Sequence, residues 1–111
     1  MTLSRISITV VIPAYNEEKT IGDIVEELKQ HGYDVLVIDD GSVDNTTEVA
    51  REAGAKVIRH STNRGYIEAL RTGFKEASGD IIITMDADGQ HQVKDIPKLV
   101  KPILEGEADL V

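Results

Sequence analysis

Cysteine and tryptophan are absent from the 111 residues, and only three Tyr and one Phe are present. Without Cys there is no disulfide framework, no thiolate metal site and no thiol nucleophile. Cations are scarce too: 12 Lys and Arg stand against 20 Asp and Glu, a formal net charge of −8. That balance argues against a general nucleic-acid binder, which needs a basic face for phosphates. It also argues against docking on an anionic membrane surface. No apolar stretch approaches the ~20 residues that span a bilayer, and the N-terminus lacks the apolar core of a secretory signal. Neither common phosphate loop is present: 13–17 reads PAYNE, not G-x-G-x-x-G, and G-x-x-x-x-G-K-[ST] is missing. Ser42 sits in no G-x-S-x-G elbow. These absences point to a single soluble cytoplasmic domain.

What is present alternates between two periods. Residues 6–12 are β-branched and read as a strand stopped by Pro13. Ile21, Ile24, Val25 and Leu28 then fall at i, i+3, i+4 and i+7, a helix face within 17–30, with Asn16 or Thr20 near its start and Gly32 past its end. Residues 35–38 form a second strand. A helix capped by Asp44 or Asn45 follows to about Ala53, and Asn45 with Glu48 has capping-box spacing. Residues 56–59 read as a third strand. Ile67, Leu70, Phe74 and Ala77 predict a buried helix stripe, and 81–85 read as a strand covered on both faces. Residues 95–104 suggest a fourth helix, which Pro102 ends or kinks, and Leu110 and Val111 begin a fifth strand. Such alternation implies an α/β fold: an open, mostly parallel sheet with helices on both faces.

In sheets of this kind ligands bind outside the carboxyl ends of the strands. The loops after strands one, two and four carry Glu17, Glu18, Asp39, Asp40, Asp44, Asp86 and Asp88. Turns favour Asp for local reasons, but three acidic loops on one edge exceed that need. Like charges oppose one another's ionisation, and a divalent cation relieves them. Oxygen ligands without Cys suit Mg²⁺ or Mn²⁺. Asp86 and Asp88 alternate in extended chain and point the same way; Gln90 adds a carbonyl oxygen. A metal held there can bridge to a diphosphate.

These segments resemble a known family. Val11-Ile12-Pro13-Ala14-Tyr15-Asn16-Glu17-Glu18, Val37-Ile38-Asp39-Asp40-Gly41-Ser42 with Asp44, and Met85-Asp86-Ala87-Asp88-Gly89-Gln90-His91 are similar to family-two glycosyltransferases. The nearest branch is the polyprenyl- or dolichyl-phosphate mannosyl- and glucosyltransferases, which Asn63-Arg64-Gly65 and 73–80 also resemble. The resemblance covers nearly the whole chain. It implies a glycosyltransferase A (Rossmann-like) fold, a GDP- or UDP-linked sugar donor, and a polyprenyl or dolichyl phosphate acceptor. It implies that Pro13, Ala14, Tyr15 and Glu17 border the nucleotide, with Tyr15 near the base, and that Asp39 and Asp40 meet the base or ribose. Asp86 and Asp88 become the catalytic D-x-D pair on Mn²⁺ or Mg²⁺, Gln90 assists, and Ala87 lies against the donor.

The family domain normally runs on past Val111, so residues 1–111 are read as its N-terminal donor-binding part. Further catalytic groups are expected beyond. Alone, this part is expected to bind donor and transfer little. The longer protein is expected at the cytoplasmic face of the membrane, and an open sheet edge at the last strand invites a homodimer. Ile67-Glu68 and Val93-Lys94 depart from the family pattern. A phosphoacceptor receiver also uses paired Asp residues and Mg²⁺, but places the pair after its first strand; here it follows the second.

Overall fold

The computed structural model describes residues 7–87 together with Ile96 and Pro97. Its elements are β1 (Ile8–Ala14), α1 (Ile21–Gln30), β2 (Asp34–Asp39), α2 (Thr46–Glu52), β3 (Lys56–Arg59), α3 (Tyr66–Glu76) and β4 (Ile81–Thr84). The strands form one parallel sheet in the order β3-β2-β1-β4. The chain steps outward from β1 to β3, then crosses back to lay β4 on the other side of β1. That reversal creates a switch point between β1 and β4 at the carboxyl ends of the strands, where open α/β sheets place ligands.

The central strands β1 and β2 are buried on both sides, as strands of parallel sheets are. On one face Val10, Ile12, Val35, Val37 and Ile83 pack against Ile21, Val25 and Leu28 of α1 and Ala50 of α2. On the other, Val11, Leu36 and Ile38 meet Ala69 of α3. The expected α/β architecture with helices on both faces is thus present.

Four local readings change. Pro13 does not stop β1; it pairs with Ile38 inside the β1–β2 ladder. The Val11 carbonyl accepts from Met85 on the β4 side, whereas the Ala14 carbonyl accepts from Asp40 on the β2 side. Alternation therefore turns Pro13 towards β4, just past the last β1–β4 pair, Val11 with Thr84. Its missing N–H removes no ladder bond there.

α1 begins at Ile21 rather than near Glu17, because the Glu17 carbonyl closes a tight turn, accepting from Thr20 and Ile21 at 3.1 and 2.9 Å. The β4 strand is buried on one face, at Ile81 and Ile83, while Ile82 and Thr84 are only half-buried.

The fourth change concerns α3. Its buried residues are Ala69 and Gly73, not the stripe of large side chains. Ile67 is 65% exposed and Phe74 48% exposed. Two small residues one turn apart let the helix axis come close to the sheet. A Cβ on Gly73 would stand 2.4 Å from Val11 Cγ1, so no larger residue fits on that face. Apolar period alone does not tell a face that is buried from one that is merely apolar.

Only Ile96 and Pro97 of the expected fourth helix are described, both helical, with Ile96 in the core. The expected fifth strand and the sheet edge it would form lie outside the described residues. Gly73→Ala is expected to lower stability by roughly 1–3 kcal/mol, the cost of overpacking; urea denaturation of both proteins measures it.

Candidate functional site

The carboxyl ends of β1, β2 and β4 open onto a cleft of about 370 Å³. β1 and its loop supply Pro13, Ala14, Tyr15 and Glu17; β2 supplies Asp40; the segment after β4 supplies Asp86 and Ala87. The fourth wall comes from Asn63, Gly65, Tyr66 and Ala69 at the start of α3. Of the eight described residues predicted for the site, seven line this cleft and Asp39 does not. Asp88, Gln90 and His91 lie outside the described residues.

Asp39 is fully buried. Its carboxylate accepts from the Ser42 N–H at 2.9 Å and from the Thr47 hydroxyl, with Arg59 Nη1 3.8 Å away. Arg59 also donates to the Ser42 carbonyl at 2.6 Å. Asp39 therefore shapes the loop between β2 and α2. Ser42 passes that order on, because its hydroxyl accepts from the Asn16 N–H at 2.8 Å. Asn16, expected as a possible helix cap, instead adopts a positive φ of 54° and accepts from Val43 N–H at 2.9 Å. Glu17 N–H donates to the Thr46 hydroxyl at 2.9 Å and Asn45 N–H to Glu18 Oε1 at 3.1 Å. The β1 and β2 loops are thus laced together, which fixes Tyr15 and Glu17 beside the cleft.

Asn45 holds the N-cap position of α2 but makes no side-chain cap bond; Asp44, one residue earlier, accepts from the Thr46 N–H and hydroxyl at the helix start. Burial works to raise the Asp44 pKa, but the bonds from Thr46 and Glu18 hold it below the usual carboxylate value.

Asp40 is a heavily engaged carboxylate in the cleft. Oδ1 accepts from His60 Nδ1 at 2.7 Å and from Arg64 N–H at 2.9 Å; Oδ2 accepts from Gly65 N–H at 2.8 Å. Asn63 donates to the Asp40 carbonyl at 3.2 Å. Segment 61–65 is thereby pinned over the end of β2. Gly41 allows the approach: it has φ +80°, and a Cβ there would lie 2.6 Å from Asn63 N. Burial works to raise the Asp40 pKa, yet hydrogen bonds from His60, Arg64 and Gly65 and the charge on His60 bring it below its ordinary value.

Tyr15 is 46% exposed and offers an open ring face. Tyr66 donates its hydroxyl towards Asp86 Oδ1 at 3.5 Å. Burial and the neighbouring Asp86 charge raise its phenol pKa. Ala87 is tied to α1, its carbonyl accepting from the Thr20 hydroxyl. Arg64 is exposed, and Arg71 pairs at 3.5 Å with Glu68 in solvent, where such contacts contribute little.

Sequence reasoning missed His60 and Tyr66. Both flank the Asn63-Arg64-Gly65 motif, and their proximity to it was the available signal. The cleft presents Glu17, Asp40 and Asp86, and no Lys or Arg lines it among the described residues. An anionic ligand would meet these three carboxylates without a compensating cation among the described lining residues. The oxygen-only donors suit a hard divalent ion. Among the described residues, however, no three His, Asp or Glu side chains are grouped closely enough to hold one.

Fold and cleft together define a Rossmann-like α/β domain with an acidic ligand edge. The family described as "Glycosyl transferase family 2" matches residues 9–111, and the chain belongs to it. An uncharacterized protein of Methanocaldococcus jannaschii is 51% identical over 106 residues, covering 92% of this chain and 44% of that protein. The UDP-N-acetylglucosamine–dolichyl-phosphate N-acetylglucosaminyltransferase of Methanococcus voltae is 39% identical over 125 residues, covering 94% and 50%. The chain thus spans about half the length of these relatives. Among solved structures, Mycobacterium tuberculosis glucosyl-3-phosphoglycerate synthase in complex with Mn²⁺, UDP-glucose and phosphoglyceric acid matches with a TM-score of 0.81 and 33% identity, over 94% of this chain and 41% of that one. The solved neighbour has the expected glycosyltransferase fold, and membership in this family decides against the phosphoacceptor receiver.

The folded pKa of Asp40 lies below the ordinary 3.8. Its ionised form therefore contributes stability above that pH, and the contribution is lost as pH falls through the folded value. Asp40→Asn is expected to lower the melting temperature near neutral pH, with the gap to wild type closing below pH 3.8; thermal melts across pH check the convergence.

Proposed function

We propose that this chain is the donor-binding part of a glycosyltransferase that moves a sugar from a nucleoside-diphosphate sugar to a polyprenyl phosphate. The observation that carries the reading is the convergence of Tyr15, Asp40 and Asp86, from three separate strand ends, on one cleft at the switch point. Family membership and the dolichyl-phosphate relative support it.

Tyr15 stacks on the base, as an exposed ring at a cleft can. Asp40 accepts a hydrogen bond from the base or ribose. Pro13, Ala14, Glu17 and Ala87 border the nucleotide. Asp86, with Asp88 and Gln90, holds Mg²⁺ or Mn²⁺. That ion, when bound, supplies Lewis-acid stabilisation to the charge that grows on the departing nucleoside diphosphate. Tyr66 holds its hydroxyl towards Asp86 and so limits where that carboxylate points. Asp39 acts through the loop it braces. An acceptor phosphate oxygen is already anionic and needs little help from a general base.

No helix among the described residues is long and apolar enough to cross a membrane. A polyprenyl acceptor places the reaction at a membrane surface, the cytoplasmic face in this reading.

Calorimetric titration with UDP and GDP, with and without Mn²⁺, tests the proposal. Binding of one nucleotide is expected only with metal, and Asp86→Ala is expected to weaken it about tenfold or more without lowering the melting temperature. Metal-independent binding that ignores Asp86→Ala would overturn the assignment. Tyr15→Ala is expected to weaken the same binding roughly tenfold, the worth of one stacked aromatic face.

A further inference from the structure

We infer that His60 is a specificity-determining residue: it confines Asp40 to a single hydrogen bond with its ligand and so selects uracil over guanine in the donor. The inference rests on reading the cleft as a nucleotide site.

A carboxylate has about four acceptor positions, two on each oxygen. On Asp40, Oδ1 uses both, for His60 Nδ1 and the Arg64 N–H. Oδ2 uses one, for the Gly65 N–H. One position on Oδ2 remains. The Asp40 side chain is only 6% exposed, which suits a narrow contact rather than a broad one.

His60 cannot move aside. An ionised carboxylate only accepts, so Nδ1 carries the proton that it donates. Nε2 meets the Thr72 hydroxyl of α3 at 2.8 Å. The backbone N–H of His60 donates to the Asp39 carbonyl at 2.9 Å. The ring is buried and held at both nitrogens, so the Oδ1 position stays closed.

Uracil presents one ring donor, N3–H, between two carbonyls. Guanine presents two neighbouring donors, N1–H and an N2 amino hydrogen. A carboxylate meets that pair with one open position on each oxygen, and here Oδ1 has none. Guanine would bury one donor unmatched, which costs affinity. Uracil leaves nothing unmatched on this carboxylate.

Calorimetry with UDP and with GDP, each with Mn²⁺, tests the inference on three forms of the chain. Wild type is expected to bind UDP about tenfold more tightly, the worth of one unmatched donor. His60→Leu, which fills the ring's volume without its N–H, is expected to bring the ratio near one. His60→Asn, which returns an N–H near the Nδ1 position, is expected to restore the preference. A merely structural role for His60 would weaken both nucleotides in proportion and leave the ratio unchanged. An unchanged ratio in His60→Leu overturns the inference, and so does GDP binding as tightly as UDP in the wild type. If His60→Leu does not fold, Thr72→Val takes its place; it releases the ring's far nitrogen and must narrow the ratio. Failure of both nucleotides to bind wild type overturns the transferase reading of the cleft, and this inference with it.

Discussion

The Asp40 carboxylate holds the ligand edge together. It sits at the end of β2, yet its partners come from the end of β3 and from the segment that leads into α3. Together with the bond from Asn63 to the Asp40 carbonyl, they anchor 61–65 against the sheet and so hold the cleft wall formed by Asn63, Gly65 and Tyr66. A buried charge is tolerated only where donors compensate for lost water. Here three donors do so. In the proposed reading the same three decide how much of the carboxylate a ligand can reach, so that stability and recognition draw on one group.

The two faces of the sheet solve packing differently. Under α1 and α2 the contacts are between large aliphatic side chains, which fill the space between sheet and helices. Under α3 the space is thin, because Ala69 and Gly73 bring the helix close to Val11 and Ile38. This near approach matters for the site. α3 starts at the cleft and carries both Tyr66 and Thr72, so its depth against the sheet sets where the Asp86 neighbour and the His60 partner stand. Its outer side keeps Ile67 and Phe74 exposed.

The electrostatic character of the edge follows from topology. Parallel strands bring every βα loop to one side, so acidic residues distant in sequence become neighbours. Asp39 and Asp44 turn their charge inward on loops and caps, whereas Glu17, Asp40 and Asp86 face the cleft. With no cation among the described lining residues, the arrangement suits a ligand that arrives with its own divalent counter-charge.

Much of this could be read from the chain alone. The order of strands and helices, the sheet class and the shared acidic edge followed from periodicity and from turn chemistry, because those signals are local. So did Pro13, Ala14, Tyr15, Glu17, Asp40, Asp86 and Ala87 as neighbours. Tertiary structure decided the rest. It turned the Pro13 nitrogen towards β4, past the last β1–β4 pair, so that a residue read as a stop became part of a strand. It chose the small face of α3 over the large one, because depth of packing depends on the opposing surface and not on the helix's own pattern. It sent Asp39 into the loop while leaving Asp40 at the cleft, although the two are adjacent and chemically identical; successive residues of a strand face opposite ways, and only the partners on each side settle which carboxylate is consumed. It also made His60 a partner of Asp40 across 20 positions of sequence, a contact that no local pattern encodes.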